Sequence, residues 1–469
     1  MAFKVEYLEE PSLMFGNDGI ALDPRIGLVK YGPRTPTGEP HHISMKIGLI
    51  GDLSSITEIQ RFFKLMRNRI LPEINLLQKW KMPFPGLGVD SPLNMSINVQ
   101  KRWRQIFFPD EIGKFLKYTD KNQMIVDFIQ YVESKIDIIY GKESPPDVII
   151  ICIPESIYRK CVSQYALKEK IQTQESDFHN LIKVNSIIRK IPTQLIHPNT
   201  IKQKATQDMS DIAWNLTVGL LYKSQKGHPW KLTELEENTC YAGISFYIER
   251  GTNLTKAAMA QVFLDTGESF ILRADRINEI KGRRKTHLSY EDSVNVTNQI
   301  IKQYMDVRGH PPQRLVIHKS SNFWDEEREG ISNAASKIPL LDLITIREIN
   351  PIRLLSSGQY PVLRGTLLIP PDRYEYYLYT TGYNPTLATY QGHRIPKPLV
   401  VKPDLNYCSS SIYSICKEIL AFTKLDWNSS HFSKKMPVTL EISRSVGQIL
   451  AEVKARKIEK IDPHYYYYM

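Results

Sequence analysis

Between Phe178 and Lys223, four polar residues, His179, Lys183, Gln194 and Lys223, are spaced so that two helices and a turn can bring them together on one anion. In FHNLIKVNSIIRKI, Phe178, Leu181, Ile182, Val184 and Ile188 cluster on one arc of a helix, while His179 and Lys183, four apart, share the opposite face. Ile191-Pro192-Thr193-Gln194 ends that helix, because proline donates nothing to the ladder and biases its predecessor away from helical angles; the Gln194 amide is thereby expected in a turn. A second helix, Asp208 to Ser224, buries Ile212, Trp214, Leu216 and Leu220 and delivers Lys223 in its last turn. A phosphate monoester is nearly a dianion at neutral pH, and converging charge-assisted donors hold it at about 1.5 to 3 kcal/mol each. Spacing alone favours a plainer reading, in which these are solvated polar positions on amphipathic helices.

The chain that must position them has 469 residues, enough for two or three domains, and 42% hydrophobic residues, enough for sizeable cores. Its formal charge of +11 favours a polyanionic partner, since a positive surface releases counterions from a phosphate backbone. The five cysteines, Cys152, Cys161, Cys240, Cys408 and Cys416, are scattered and form no CxxC pair. Neither a zinc ribbon nor a disulfide framework is indicated, and a reducing cytoplasm fits best. No signal pattern opens the chain and no apolar run is long enough to cross a bilayer.

In chain order, residues 1–42 read as a lead-in of short strands and tight turns. MKIGLIGD is a buried strand feeding a helical stretch from Ser54 to Leu77 that Pro72 interrupts, Asn122 to Ile139 is an amphipathic helix, and DVIIICIPES is the clearest buried strand. Strands alternating with helices over 43–225 predict a parallel, Rossmann-like sheet. No GxGxxG follows either strand, so no dinucleotide is expected. KGHPWKLTELEEN reads as a connector opening a second domain, 226–469. There CYAGISFYIER, TKAAMAQVFLD and ESFILRADRI predict a meander, followed by a helix from Ser289 to Val307 and by the strands QRLVIHKSS and LDLITIREI. That order predicts an RNase H-like fold, closed by helices at Ser410 to Lys424 and Ser443 to Lys454. The fold class is therefore α/β.

DPRIGLVKYGP, IPESIY, PTQLIHPNT within the H...K...Q...K set, WNLTVGLLYKSQKGHPWKL, YAGISFY, RLVIHKSS and LDWNSSHFSKKMPVTLEIS follow one another in the order found in the short prokaryotic Argonautes, which have only MID and PIWI domains. The chain resembles that family over nearly all of its length. The resemblance implies an L2-like lead-in over 1–42, a MID domain over 43–225 and a PIWI domain over 226–469. It maps the pocket for a guide's 5′ phosphate onto His179, Lys183, Gln194 and Lys223. It also implies a magnesium ion bridging guide phosphates and the α-carboxylate of Met469, seated by Tyr465 to Tyr468. His179 stands where many relatives have Tyr; its imidazole either stacks on the first base or, protonated, pairs with the phosphate.

An active PIWI domain needs clustered carboxylates to hold two metal ions. In the resemblance the catalytic positions fall at Ser245, Ser320 and, within a residue or two, Arg444. Hydroxyls are weak magnesium ligands and a guanidinium repels the ion, so no cleavage is expected. The alternative is a metal-dependent guided endonuclease with displaced ligands such as Asp265, Glu268 or Asp275. Without cleavage, the resemblance implies a cytoplasmic immune sensor that holds a guide RNA and pairs it with target single-stranded DNA. Its output would come from a separate APAZ-containing partner with a TIR, sirtuin-like NAD-hydrolysing or nuclease effector, as a heterodimer that assembles further on activation.

Overall fold

The computed structural model describes residues 3–35, 41–73, 81–161, 175–197, 199–200, 207–248, 255–264, 269–273, 287–372, 374–388, 390, 392, 394–455 and 462–469. The first large sheet is parallel throughout, with strand order Met95–Asn98, Ile43–Gly51, Val148–Ile151, Thr193–Leu195; Arg104–Ile106 pairs with the later half of Ile43–Gly51. Alternation along Val148–Ile151 explains why its run is apolar without a break. Val148 and Ile150 join Trp214 and Val218 in one core, while Ile149 and Ile151 join Phe128, Ile129 and Val132 of the Lys121–Tyr140 helix in another. Helices thus cover both faces, as the Rossmann-like expectation requires.

The second large sheet has nine strands, ordered Lys4–Tyr7, Thr366–Ile369, Tyr376–Leu378, Leu399–Pro403, Leu340–Arg347, Arg314–Lys319, Thr239–Ile248, Thr255–Leu264, Ser269–Arg273. The last three form the expected antiparallel meander, and Arg314–Lys319 lies parallel to both of its neighbours. This is the RNase H-like order. The lead-in supplies the edge strand Lys4–Tyr7, which pairs with Thr366–Ile369.

Three local expectations are corrected. The helix from Ser54 stops at Leu65, because Ile70 bridges to Phe84 and Phe84 packs edge-on against Trp214 at 5.4 Å. Gln194 lies in the Thr193–Leu195 strand rather than in a turn, since its backbone pairs with Ile150. The stretch after Lys226 is a built junction rather than a loose connector. Lys231–Leu232 pairs with Leu13–Met14, and buried Trp230 donates to the Lys424 carbonyl at 3.0 Å. A second tie runs through DPRIGLVKYGP: Arg25 donates to Ser430 Oγ at 3.0 Å and to Asp211 at 2.7 Å, so one buried guanidinium joins both halves of the chain.

Gly243 explains the small residue in YAGISFY. A Cβ there would stand 1.9 Å from the Thr439 carbonyl oxygen, because the Val438–Ala455 helix starts directly on the strand. We expect Gly243→Ala to displace that helix and lower stability by about 1–3 kcal/mol. Urea unfolding checks it, and an unchanged midpoint would contradict the close approach.

Candidate anion pocket and second-sheet centre

The Glu175–Arg189 helix inverts the simplest reading of its sequence. Ile188, placed on the buried arc by periodicity, is 47% exposed, whereas Lys183 is 1% exposed. The reason is tertiary. The helix lies between the Thr193–Leu195 strand and the chain's last residues, so its polar face is covered. Lys183 Nζ donates to the Thr193 carbonyl at 2.5 Å and, in a short contact, to the main-chain oxygen of Met469. Lys223, 0% exposed in the last turn of the Met209–Gln225 helix, donates to Gln194 Oε1 at 2.5 Å. These two lysines are not solvated.

Among the described residues, no carboxylate side chain is within ion-pair distance of either lysine. Burial and the neighbouring Lys223 hold Lys183 well below the usual lysine range, and burial brings Lys223 down to about 7. Burial, with Lys183 and Lys223 adding repulsion, takes His179 down to about 4. The imidazole of the guide-free chain is therefore neutral at pH 7. Its ring Nδ1 is 3.5 Å from Asn180 Oδ1.

The tail reaches the pocket as a buried plug. Tyr465 to Met469 are all buried, Ile271 donates to the Pro463 carbonyl at 2.8 Å, and Tyr222 lies 6.3 and 6.0 Å from the Tyr465 and Tyr466 rings. Large aromatic area and few exposed polar groups make this segment a packed element. Gly219 leaves room beside it: a Cβ there would meet Asn428 Oδ1 at 3.5 Å, the Met469 side chain at 3.8 Å and Gln194 Oε1 at 4.0 Å. A cleft of about 250 Å³ continues from Gln194 past His197, Asn215, Leu216 and Asn428. His197, Asn215 and Asn428 were not singled out from sequence; His197 lies in PTQLIHPNT, where only its nearness to Gln194 could have flagged it.

The structure thus brings Lys183, Gln194, Lys223 and Met469 together, with His179 one helical turn from Lys183. These side chains suit an anion. They do not by themselves make a magnesium cage, because the Met469 oxygen and Gln194 Oε1 each already accept from an ammonium.

In the second sheet, Thr239–Ile248 and Arg314–Lys319 stay in register up to Ile244 opposite Lys319, one residue short of Ser245 and Ser320. Gly243 and His318 both meet Thr439, so alternation sends Ser245 toward the helix that carries Arg444, while Ser320 follows directly on the end of the Arg314–Lys319 strand. Ser245 is buried and Ser320 exposed; the Arg444 side chain is not among those described. His318, brought down to about 3 by burial, is neutral and shares a 2.9 Å hydrogen bond with Thr439 Oγ1. The nearby buried carboxylate of Glu327 is taken by Lys319 at 2.5 and 2.6 Å. Among the described residues, no group of three or more His, Cys, Asp or Glu is placed to hold a metal ion. Asp265, Glu268 and Asp275 lie outside the described residues, as does the basic stretch Lys281 to Lys285. No described helix is long and apolar enough to cross a membrane.

No protein-family model and no curated protein sequence matches the chain. Solved structures do. An Argonaute from Clostridium butyricum, bound to a guide DNA and a 19-mer target DNA, is 15% identical with a TM-score of 0.64, over 96% of this chain and 53% of that one. Drosophila Piwi is 14% identical with a TM-score of 0.62, over 99% and 56%. An Argonaute from Marinitoga piezophila, in complex with a 5′ OH guide RNA, is 14% identical with a TM-score of 0.58, over 94% and 58%. The chain therefore spans a little more than half the length of the structures it matches, and over that length its α/β architecture, a Rossmann-like sheet followed by an RNase H-like sheet, is the Argonaute and Piwi fold.

Proposed function

We propose that this chain is the recognition subunit of a guided immune system. It holds the 5′-phosphorylated end of a small RNA guide and presents the guide for pairing with single-stranded DNA. The observation that carries the reading is the buried pair Lys183 and Lys223, with no side-chain carboxylate against either among the described residues. Two ammonium groups in a dry interface are costly; the Met469 main-chain oxygen meets only Lys183, and a dianionic phosphate supplies the counter-charge that Lys223 lacks and adds to that at Lys183. Guide and target nucleic acids in the Clostridium butyricum and Marinitoga piezophila structures support the same reading. Magnesium in this pocket would draw most of its oxygens from guide phosphates, with Met469 contributing one.

In this proposal the protein does not cut. Ser245 and Ser320 offer hydroxyls at the catalytic positions, and the output belongs to a separate APAZ-containing partner with a TIR, sirtuin-like or nuclease effector. Pairing shifts the heterodimer toward an active assembly. Residues 1–42 act as the L2-like lead-in, 43–225 as the MID domain and 226–469 as the PIWI domain. Sequencing the nucleic acid that co-purifies with the chain tests guide holding: we expect short 5′-phosphorylated RNA, and a random mixture of lengths and ends argues against it. A labelled complementary strand incubated with guide and magnesium should stay intact. Cleavage that disappears when Asp265 or Glu268 is replaced would favour the endonuclease instead.

A further inference from the structure

A groove of about 300 Å³ lies at the edge of the first sheet farthest from Gln194, between the Leu53–Leu65 helix and the Met95–Asn98 strand. Phe63, Leu87, Ile97 and Val99 line it with apolar surface; Gln60, Lys64 and Arg67 line it from the helix and the turn after it. Gln60, Phe63, Lys64 and Arg67 are spaced three, four and seven apart, so they face the groove as one stripe. Lys64 and Arg67 are both exposed, no carboxylate lines the groove among the described residues, and Val89, next to Gly88 on the rim, is 69% exposed.

The strand beside it is a sheet edge. Met95–Asn98 pairs with Ile43–Lys46 on one side; on the other, the described residues supply only an isolated bridge from Gly88 to Met95. The peptide groups beyond Met95 therefore border the groove without a partner strand among the described residues. A free edge next to an apolar trough invites an added strand, whose alternate side chains enter the trough while the others point away.

We propose that this groove docks an extended acidic segment of a partner protein, added as a strand along Met95–Asn98, with apolar side chains on Phe63, Leu87, Ile97 and Val99 and carboxylates against Lys64 and Arg67. Charge selects the occupant. Two exposed cations with no lining acid among the described residues favour carboxylates, and the apolar floor beside a strand edge favours a peptide over a nucleic-acid backbone, which has no apolar side chains to fill it. The site lies across the sheet from the guide-end pocket and does not depend on what that pocket holds.

The probe is a fluorescein-labelled peptide of about a dozen residues alternating Glu with Val and Phe, titrated into the full chain by fluorescence anisotropy. A matching peptide with Lys for Glu and a 5′-hydroxyl oligothymidylate serve as competitors. We expect the acidic peptide to bind, and Lys64→Glu with Arg67→Glu to weaken it by at least about tenfold while the double variant gains affinity for the Lys peptide. Both positions are exposed, so thermal unfolding of the variant should match that of the parent. Failure of the acidic peptide to bind, equal binding by the variant, or displacement by oligothymidylate would overturn the proposal, the last in favour of a nucleic-acid surface.

Discussion

Methionine at both Lys183 and Lys223 should abolish the preference for 5′-phosphorylated guides while leaving the guide-free protein folded at pH 7. Both ammonium groups are buried, and their protein partners are neutral oxygens at Thr193 and Gln194 together with the Met469 main-chain oxygen. Methionine keeps the length and apolar stem of lysine and removes a charge that has lost its water. The oxygens at Thr193, Gln194 and Met469 lose their donors, a cost of about 1–3 kcal/mol for each, offset by removal of the dehydrated charges, so the fold should survive. The bound phosphate, by contrast, loses two charge-assisted contacts of about 1.5 to 3 kcal/mol each, roughly 10² to 10⁴ in affinity together. Comparing 5′-phosphate and 5′-hydroxyl guides in parent and double variant isolates the pocket. Retained discrimination between the two guides would remove the pocket assignment; a variant that fails to fold would show that the lysines are there for structure.

Guide-free stability should rise with pH above neutrality, and Lys223→Met should remove part of that rise. The sign follows from the direction of the shift. Lys223 sits at about 7 in the folded chain and at its ordinary 10.5 when unfolded, and Lys183 is depressed as well. Between those values the unfolded chain binds more protons, so each lysine adds up to about 1.4 kcal/mol of stability per pH unit as pH rises. Buried tyrosines act the other way once unfolded tyrosine ionises near 10, since Tyr222 and Tyr465 to Tyr468 are all raised in the fold. The thiols of Cys408 and Cys416, also raised by burial, oppose the rise once unfolded cysteine ionises near 9, and buried Lys424, brought down to about 8, adds to it; the window is therefore roughly pH 7 to 8, and the difference between parent and Lys223→Met isolates Lys223. A 5′ phosphate should reverse the linkage, because it favours charged Lys223. Binding at pH 8 should take up close to one proton at Lys223, and more in total because Lys183 is depressed as well, measured by calorimetry in buffers of different ionisation heats. No proton uptake, or the same uptake by Lys223→Met, would contradict this account of Lys223.

The strongest strands were legible because their physics is local. Val148–Ile151 is apolar on both faces and is sandwiched by helices; the meander from Thr239 has alternating strands and turn residues at its breaks. The end of the helix at Leu65 was not legible, because Ile70 leaves the helical pattern for a bridge to Phe84 formed with distant Trp214. Four of the nine strands in the second sheet, Lys4–Tyr7, Thr366–Ile369, Tyr376–Leu378 and Leu399–Pro403, are short pieces with little periodicity to show; the last three pair in sequence order, and Lys4–Tyr7 pairs with a strand more than 350 residues away.

What the amino-acid sequence determined by itself was the inventory: which residue types stand at His179, Lys183, Gln194 and Lys223, that hydroxyls stand at Ser245 and Ser320, and that strands and helices alternate in an α/β order. Whether Lys183 faces water or protein is decided by whatever covers its helix, and helical periodicity misplaced it because that cover comes from residues 286 positions away. Only the tertiary structure put the Met469 oxygen on Lys183, closed the aromatic tail over Tyr222 and turned two ordinary surface-type lysines into a dehydrated pair. The physical reason is that desolvation depends on everything within a few ångströms, and spacing along one helix cannot specify it.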